Sequence, residues 1–391
     1  MEFLTHAVRT AMRLTPARPR VCVVGHPATD ENAIVAAIAV ARRTESPVDL
    51  LTSDTALTGR HLETVNSWLG HAILPENITV ERRQRRSDLR HVIQDSLVLY
   101  THGFATSPRP AGRRMHVNLW HGYGPKRTAN QEFRNRIGAN AIASNATSWI
   151  PQIIEDLSMR DPRVIPGNPR EALMSPEQTG LAAERLNISA PYVLWLPTYR
   201  ESTATHHAAL HDGTPFSAVT HSEVMETLRR AAEDNGVTIV VKPHPLDSFD
   251  WSQMGMRIIT DAELAAARVP FYGLIGAANG MVSDYSSVWV EFMHLNKPIL
   301  LVLPDLAAFK STRGLNQPNF ADFMQPWIAA SHDQVARFMQ QCRDGDTVTY
   351  DGPREVLGLR TYDSILKEFG DAVATLATER RTPAILRRAG E

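Results

Sequence analysis

Short apolar runs recur along the chain, each followed by a polar turn and then by a segment whose apolar positions return at helical spacing. In the first half, residues 21–25, 48–51, 97–100, 115–120, 139–143 and 163–165 predict strands. Residues 30–43, opening at Asp30, and 57–69 predict helices. A second series follows, with strands expected at 192–196, 237–241, 271–275, 280–282 and 298–303 and helices at 222–235, 288–295, 331–342 and 362–379. Apolar strands alternating with amphipathic helices specify parallel α/β sheets. Pro162, Pro166, Pro169, Pro176 and Pro191 crowd the stretch between the two series and mark a crossing between domains 21–170 and 171–360, with a helix and tail at 361–391. Residues 1–20 read as a basic amphipathic segment. Phe3, Leu4, Val8, Met12 and Leu14 roughly share a helical face, Arg9 and Arg13 lie outside it, and Pro16 and Pro19 end the helix. That face is expected to pack on the body of the protein rather than lie on a bilayer. No internal repeat is visible.

Composition narrows the class. A chain of 391 residues exceeds one ordinary core, and 43% hydrophobic with 21% charged residues describes a water-soluble globular protein. No apolar run approaches the ~20 residues of a membrane span, and no signal-peptide core is present, so a cytoplasmic location is the expectation. Cys22 and Cys342 form no metal or redox spacing. Charge is uneven: residues 1–150 hold 19 Lys and Arg against 12 Asp and Glu, and the remainder 22 against 30, which gives +7 and −8. Arg82, Arg83, Arg85, Arg86 and Arg90 cluster, as do Arg109, Arg113 and Arg114. A solvated surface accounts for most such runs; an anionic partner, a membrane surface or a lipid-linked phosphate, is the other reading. Nucleic acid is disfavoured, because no RNA-binding aromatic pattern accompanies the arginines.

Four polar clusters directly follow predicted strands: His121 to Lys126, Thr198 to Glu201, Lys242 to His244, and Ser283 to Ser287. Carboxyl ends of parallel strands share one sheet edge, where ligands bind. In the last cluster, adjacent hydroxyls open a helix whose first N–H groups are unpaired, which makes a phosphate seat; simple helix capping is the competing explanation. Singly, His121 fits a satisfied histidine near a turn, Lys242 a solvated lysine, and Arg200 a surface ion pair. Asp344-Gly-Asp346 falls in a polar turn and reads as solvent-exposed, so no metal site is expected. Gly25 alone stands where a dinucleotide fingerprint needs three glycines, which argues against NAD.

Together, Trp120-His121-Gly122 with Lys126, Pro197-Thr198-Tyr199-Arg200, Lys242-Pro243-His244-Pro245 and Ser283-Asp284-Tyr285-Ser286-Ser287 resemble the CDP-glycerol glycerophosphotransferases of teichoic acid and capsule synthesis. The resemblance spans roughly residues 95–345. It implies a GT-B fold, two Rossmann-like domains facing a cleft, with the acceptor on the first and the nucleotide on the second. It also implies transfer of glycerol phosphate or ribitol phosphate from a CDP-linked donor to a hydroxyl of a lipid-linked or polymeric acceptor, with CMP released and no metal or other cofactor. By the same resemblance, His121 is the general base and His244 assists the leaving nucleotide. Ser283, Asp284, Ser286, Ser287, Arg200 and Lys242 become donor contacts, and Gly122, Lys126 and Thr198 line the acceptor and phosphate side. Glu291, where the family more often has Asp, is a candidate for the ribose hydroxyls or for a structural ion pair. Peripheral attachment to the inner face of the membrane would suit the basic first domain. A GT-B glycosyltransferase using a nucleotide sugar and a non-catalytic nucleotide-binding scaffold are the alternatives; fold alone does not separate them.

Overall fold

The structure, a computed structural model, describes residues 2–103, 109–120, 122, 124–126, 138–157, 159–175, 179–197, 221–243, 255–303, 306–312, 314–317 and 319–379. The chain forms two units. Unit 1 comprises Met1–His121, Thr128–Leu173 and Leu359–Glu391; unit 2 comprises Gly122–Arg127 and Met174–Gly358. The terminal helix thus belongs to unit 1, and so does the amino-terminal segment.

Unit 1 is built on β1 (Arg18–Val24), β2 (Val48–Thr52), β3 (Ile78–Arg82), β4 (Asp95–Tyr100), β5 (Met115–Asn118), β6 (Ala141–Ala143) and β7 (Arg163–Ile165). They form a parallel sheet of order β3-β2-β1-β4-β5-β6-β7. Unit 2 holds β8 (Tyr192–Trp195), β9 (Thr238–Val241), β10 (Arg257–Ile258), β11 (Gly280–Ser283) and β12 (Ile299–Leu301), again parallel, in the order β10-β9-β8-β11-β12. Both sheets wind outward from their first strand, reverse, and continue on its other side.

Burial follows from these layers. The helix Glu31–Ala41, capped by Asp30 through the N–H groups of Asn32 and Ala33, is buried along its whole length. It packs against β1, against the helix Thr55–Trp68 and against the terminal helix Ile365–Glu379. The helix Glu2–Leu14 buries Val8 and Met12 and contacts the helix Arg85–Gln94, so its apolar face does pack on the protein. In unit 2, Val193, Trp195, Ile239, Val241, Val282 and Leu300 meet Val224, Leu228, Val335, Phe338 and Met339 from the helices His221–Asp234 and His332–Asp344.

One predicted strand is a helix. Residues 271–275 lie in the helix Phe271–Ala277, entered through Pro270 and buried from Tyr272 onward. A fully buried helix shows no polar face, so its apolar run is indistinguishable by period from a buried strand. β3 and the helix Arg85–Gln94 were masked in the sequence by charge. Arg83 pairs there with Asp88, and Arg90 with Glu81. Arg114, counted with the basic clusters, is buried and donates to the carbonyls of Ile93, Met12, Ala111 and Thr15. It fastens the end of the first helix rather than offering a surface charge.

Candidate active site

Strand order in unit 2 reverses between β8 and β11, and an open parallel sheet takes its ligands outside the carboxyl ends at such a point. Among the described residues two predicted clusters leave this edge: Lys242 after β9, the neighbour of β8, and Ser283 to Ser287 at the end of β11.

Ser283 ends β11 fully buried, and its Oγ has no hydrogen-bond partner. Asp284, 4% exposed, turns the chain by accepting the Ser286 N–H at 3.3 Å. Tyr285 faces inward and stacks on Phe309, with ring centroids 3.8 Å apart, which anchors the turn. Ser286 and Ser287 are left half-buried. Ser287 stands at the start of the helix Val288–Phe292 but has helical φ and ψ and makes no side-chain cap. The capping explanation therefore fails for Ser287. The helix is also short, tightening after Phe292 into the 3₁₀ turn Met293–Leu295. Any anion seat here rests on local N–H groups and hydroxyls, and less on a helix dipole than the sequence implied. Glu291 is 0% exposed.

The segment Gly122–Arg127 belongs to unit 2 and lies on this same turn. Gly122 has φ 142°, a conformation open to glycine alone among ordinary residues. A Cβ on Gly124 would stand 3.0 Å from the amide nitrogen of Ser287 and 3.1 Å from its Cα and Cβ. Asn316 holds the segment down. Its N–H donates to the Pro125 carbonyl at 2.7 Å and its Nδ2 to the Lys126 carbonyl at 2.8 Å, while Lys126 pairs antiparallel with Leu315. Two clusters some 160 residues apart in sequence thus meet backbone to backbone.

Lys242 is less available than expected. Its Nζ lies 2.9 Å from Asp261 Oδ1, over the Phe271 ring, with 9% side-chain exposure. His121, Thr198, Arg200 and His244 lie outside the described residues.

Sequence reasoning missed Asn316, which carries no motif, and Asn32 in unit 1. Asn32 is fully buried and its Nδ2 donates to the carbonyls of Leu119 and Trp120 at 3.2 and 3.0 Å. Trp120 itself has φ 50°, strained for an aromatic residue, so Asn32 holds the peptide that leads into His121. An asparagine opening a helix reads as a capping residue, and only the fold reveals its other partner. Among the described residues one grouping has metal-ligand proximity, Cys22, His91 and Asp95. It is buried, away from the carboxyl edge: Asp95 begins β4, and the ring nitrogens of His91 are engaged by Asp95 at 2.7 Å and Glu81 at 3.3 Å.

Two doubly wound parallel sheets, one with a hydroxyl- and amide-lined turn at its reversal point, define the GT-B class. The sequence profile of the CDP-Glycerol:Poly(glycerophosphate) glycerophosphotransferase family matches residues 58–357, more than half of the chain, and the chain belongs to that family. It is a CDP-glycerol glycerophosphotransferase-like enzyme. Solved structures agree on the fold. A variant of the wall teichoic acid polymerase TagF soaked with CDPG superposes with a TM-score of 0.66 at 14% identity, covering 97% of this chain and 93% of that one. TagF without a stated substitution gives 0.62 at 15%, covering 97% and 95%. UDP-GlcNAc 2-epimerase from Neisseria meningitidis, bound to UDP-GlcNAc, gives 0.51 at 12%, covering 93% and 100%. No curated protein matches the sequence.

Proposed function

We propose that this enzyme transfers glycerol phosphate from CDP-glycerol to a hydroxyl of a polymeric or lipid-linked acceptor in teichoic acid synthesis. The acceptor oxygen attacks the β-phosphorus, a phosphodiester bond forms, and the bond from that phosphorus to the bridging oxygen breaks, releasing CMP. His121 takes the hydroxyl proton; an imidazole with a pKa near ~6.5 suits that task at neutral pH. His244, Arg200, Ser286, Ser287 and the N–H groups beside them stabilise charge on the departing phosphate, as positioning and electrostatics do in phosphoryl transfer. In this mechanism protein donors neutralise the pyrophosphate without a metal. Lys126 and Thr198 attend the acceptor side.

The observation that carries the reading is the contact of Gly124 with Ser287. It brings the segment next to His121 onto the turn assigned to the donor phosphate. The relatives named as wall teichoic acid polymerases support the choice of pathway. No helix among the described residues is long and apolar enough to cross a membrane, and the net charge of +7 over residues 1–150 favours peripheral attachment to an anionic inner leaflet.

The test is CMP release, measured by mass spectrometry with CDP-glycerol and CDP-ribitol in turn. CDP-glycerol is expected to turn over. His121→Ala and His244→Ala should each lower the rate at least ~100-fold in folded protein. Near-normal turnover in either variant removes that residue from the mechanism, and release from a nucleotide sugar but from neither CDP-polyol overturns the reading.

A further inference from the structure

Parallel sheets take their ligands at the carboxyl ends of the strands. Unit 1 also has a cavity beside the opposite ends, next to Pro19 near the start of β1 and Ser96 near the start of β4. Its volume is about 570 Å³, which is in the range of small-ligand sites. The other walls come from the end of the helix Glu2–Leu14 and from the turn Gly112–Arg114 that leads into β5.

Arg13, Arg113 and Arg114 line this cavity, and no acidic side chain does. Arg13 and Arg113 are exposed, and among the described residues neither side chain has an ion pair or a hydrogen bond. Arg114 is 2% exposed, and its guanidinium donates to carbonyls only. Nε and both N–H groups of Nη1 are used, but Nη2 donates once, to Thr15, so its second N–H has no protein acceptor. The carbonyls of Met12 and Thr15 lie at the carboxyl end of the first helix, whose dipole offsets about half a charge. Asp95 also supports the Arg114 charge, but its Oδ2 holds His91 at 2.7 Å, and burial still pulls the Arg114 pKa down. One buried guanidinium without a hydrogen-bonded carboxylate, beside two unpaired ones, leaves the cavity short of negative charge.

The remaining surface is apolar. Met12, Pro16 and Pro19 supply it, and Leu14, between two lining residues, is 80% exposed. A ligand that fits is an oxyanion with a small apolar body. Three guanidiniums exceed what a single carboxylate satisfies, whereas a phosphate brings about two charges and three acceptor oxygens.

We propose that this cavity is an anion site for a phosphate ester with a short apolar portion, held by Arg13, Arg113 and the spare N–H of Arg114. Bound there, the ester joins the end of the first helix to the turn Gly112–Arg114. The same group reaches the cavity from a lipid headgroup or from a soluble ester. The site lies at the edge opposite the one assigned to transfer within unit 1, and it is independent of the transferase reading.

Calorimetric titration of the full-length protein with hexyl phosphate, hexanoate and hexanol tests this. Hexyl phosphate should bind saturably and raise the melting temperature, because it favours the folded state. The double variant Arg13→Gln, Arg113→Gln removes only exposed, unpaired charges. It should melt as the parent does, release CMP at the parent rate and bind hexyl phosphate at least tenfold more weakly. Arg113→Lys, which keeps the charge without the fork, should lose less. Absence of saturable binding, equal affinity for hexanol or hexanoate, or equal affinity in the double variant overturns the proposal. Phosphatidylglycerol vesicles identify the source. Vesicle binding that hexyl phosphate displaces assigns a lipid headgroup; hexyl phosphate binding without such competition assigns a soluble ester, and the site is upheld either way. Vesicle binding with no binding of hexyl phosphate overturns it.

Discussion

A β-carbon on residue 124 would press on the peptide of Ser287, and backbone atoms have no rotamer by which to yield. Gly124→Ala should therefore displace the segment Gly122–Arg127 from the Ser283–Ser287 turn, at about 1–3 kcal/mol of overpacking. CMP release is expected to fall roughly tenfold or more, and the melting temperature by several degrees; unchanged turnover would show that the contact is incidental. Asn32→Ala removes both donors from the buried carbonyls of Leu119 and Trp120. Leaving them unsatisfied should cost about 2–3 kcal/mol, read from urea unfolding, and should reduce turnover as well. The contrast between these residues shows what a chain discloses at this scale. The turn Ser283 to Ser287 was legible because polar clusters after apolar strands have a stated geometry. Asn32 and Asn316 were not, since each acts on main-chain atoms of a distant segment. Lys242 was legible as a charge, but its partner Asp261 opens a separate helix, Asp261–Ala267.

Among elements, the helix Arg85–Gln94 is tied to the sheet of unit 1 through His91, whose ring meets Asp95 and Glu81 and lies 3.9 Å from Asp49. Burial pulls the His91 pKa down, but the hydrogen bond to Asp95 and the charges of Asp95 and Asp49 outweigh it, and the net shift is upward. A folded pKa above the unfolded ~6.5 means the network stabilises fully below that value and weakens as pH rises through the folded one. His91→Gln should accordingly lower the melting temperature more at pH 6 than at pH 9. His116 and His294 act in the opposite sense. Burial, helped by Arg114 and Arg354 respectively, holds them down to about 3 and about 4. The unfolded chain protonates them first, so stability should fall from pH ~6.5 toward 4, by roughly 1.4 kcal/mol per unit for each. His116→Leu should flatten that acid limb, and an unchanged limb would assign acid unfolding to other groups. Element type was readable where strands were apolar and helices two-faced. It failed at Phe271–Ala277, which shows no polar face, and at β3, none of whose residues is fully buried.

At the scale of the molecule, the chain enters unit 1 three times and closes it with its own end. The helix Ile365–Glu379 lies on the helix Glu31–Ala41, with Phe369 and Val373 fully buried. A Cβ on Gly370 would meet Arg43 Cγ at 3.0 Å and the Ala39 carbonyl oxygen at 3.1 Å. Ending the chain after Gly358 should strip this cover from one of the most apolar helices of the protein and give aggregated product on expression. Arg43→Ala, which removes only the exposed bridge to Asp371, should cost under about 1 kcal/mol. Soluble, cooperatively melting truncated protein would show that unit 1 is complete without its last helix. Proline crowding put the crossing at residues 170–171, but no local signal shows that residues after 359 return to the first unit, because that pairing joins segments at opposite ends of the sequence. The winding β3-β2-β1-β4 is traced again as β10-β9-β8-β11 without any recognisable sequence repeat, and ligands of such sheets meet the loops that leave the middle strands. Diversifying residues 25–30, 101–103, 197–201 and 283–287, with every strand untouched, is therefore the economical route to retargeting the enzyme toward another polyol or another polymer.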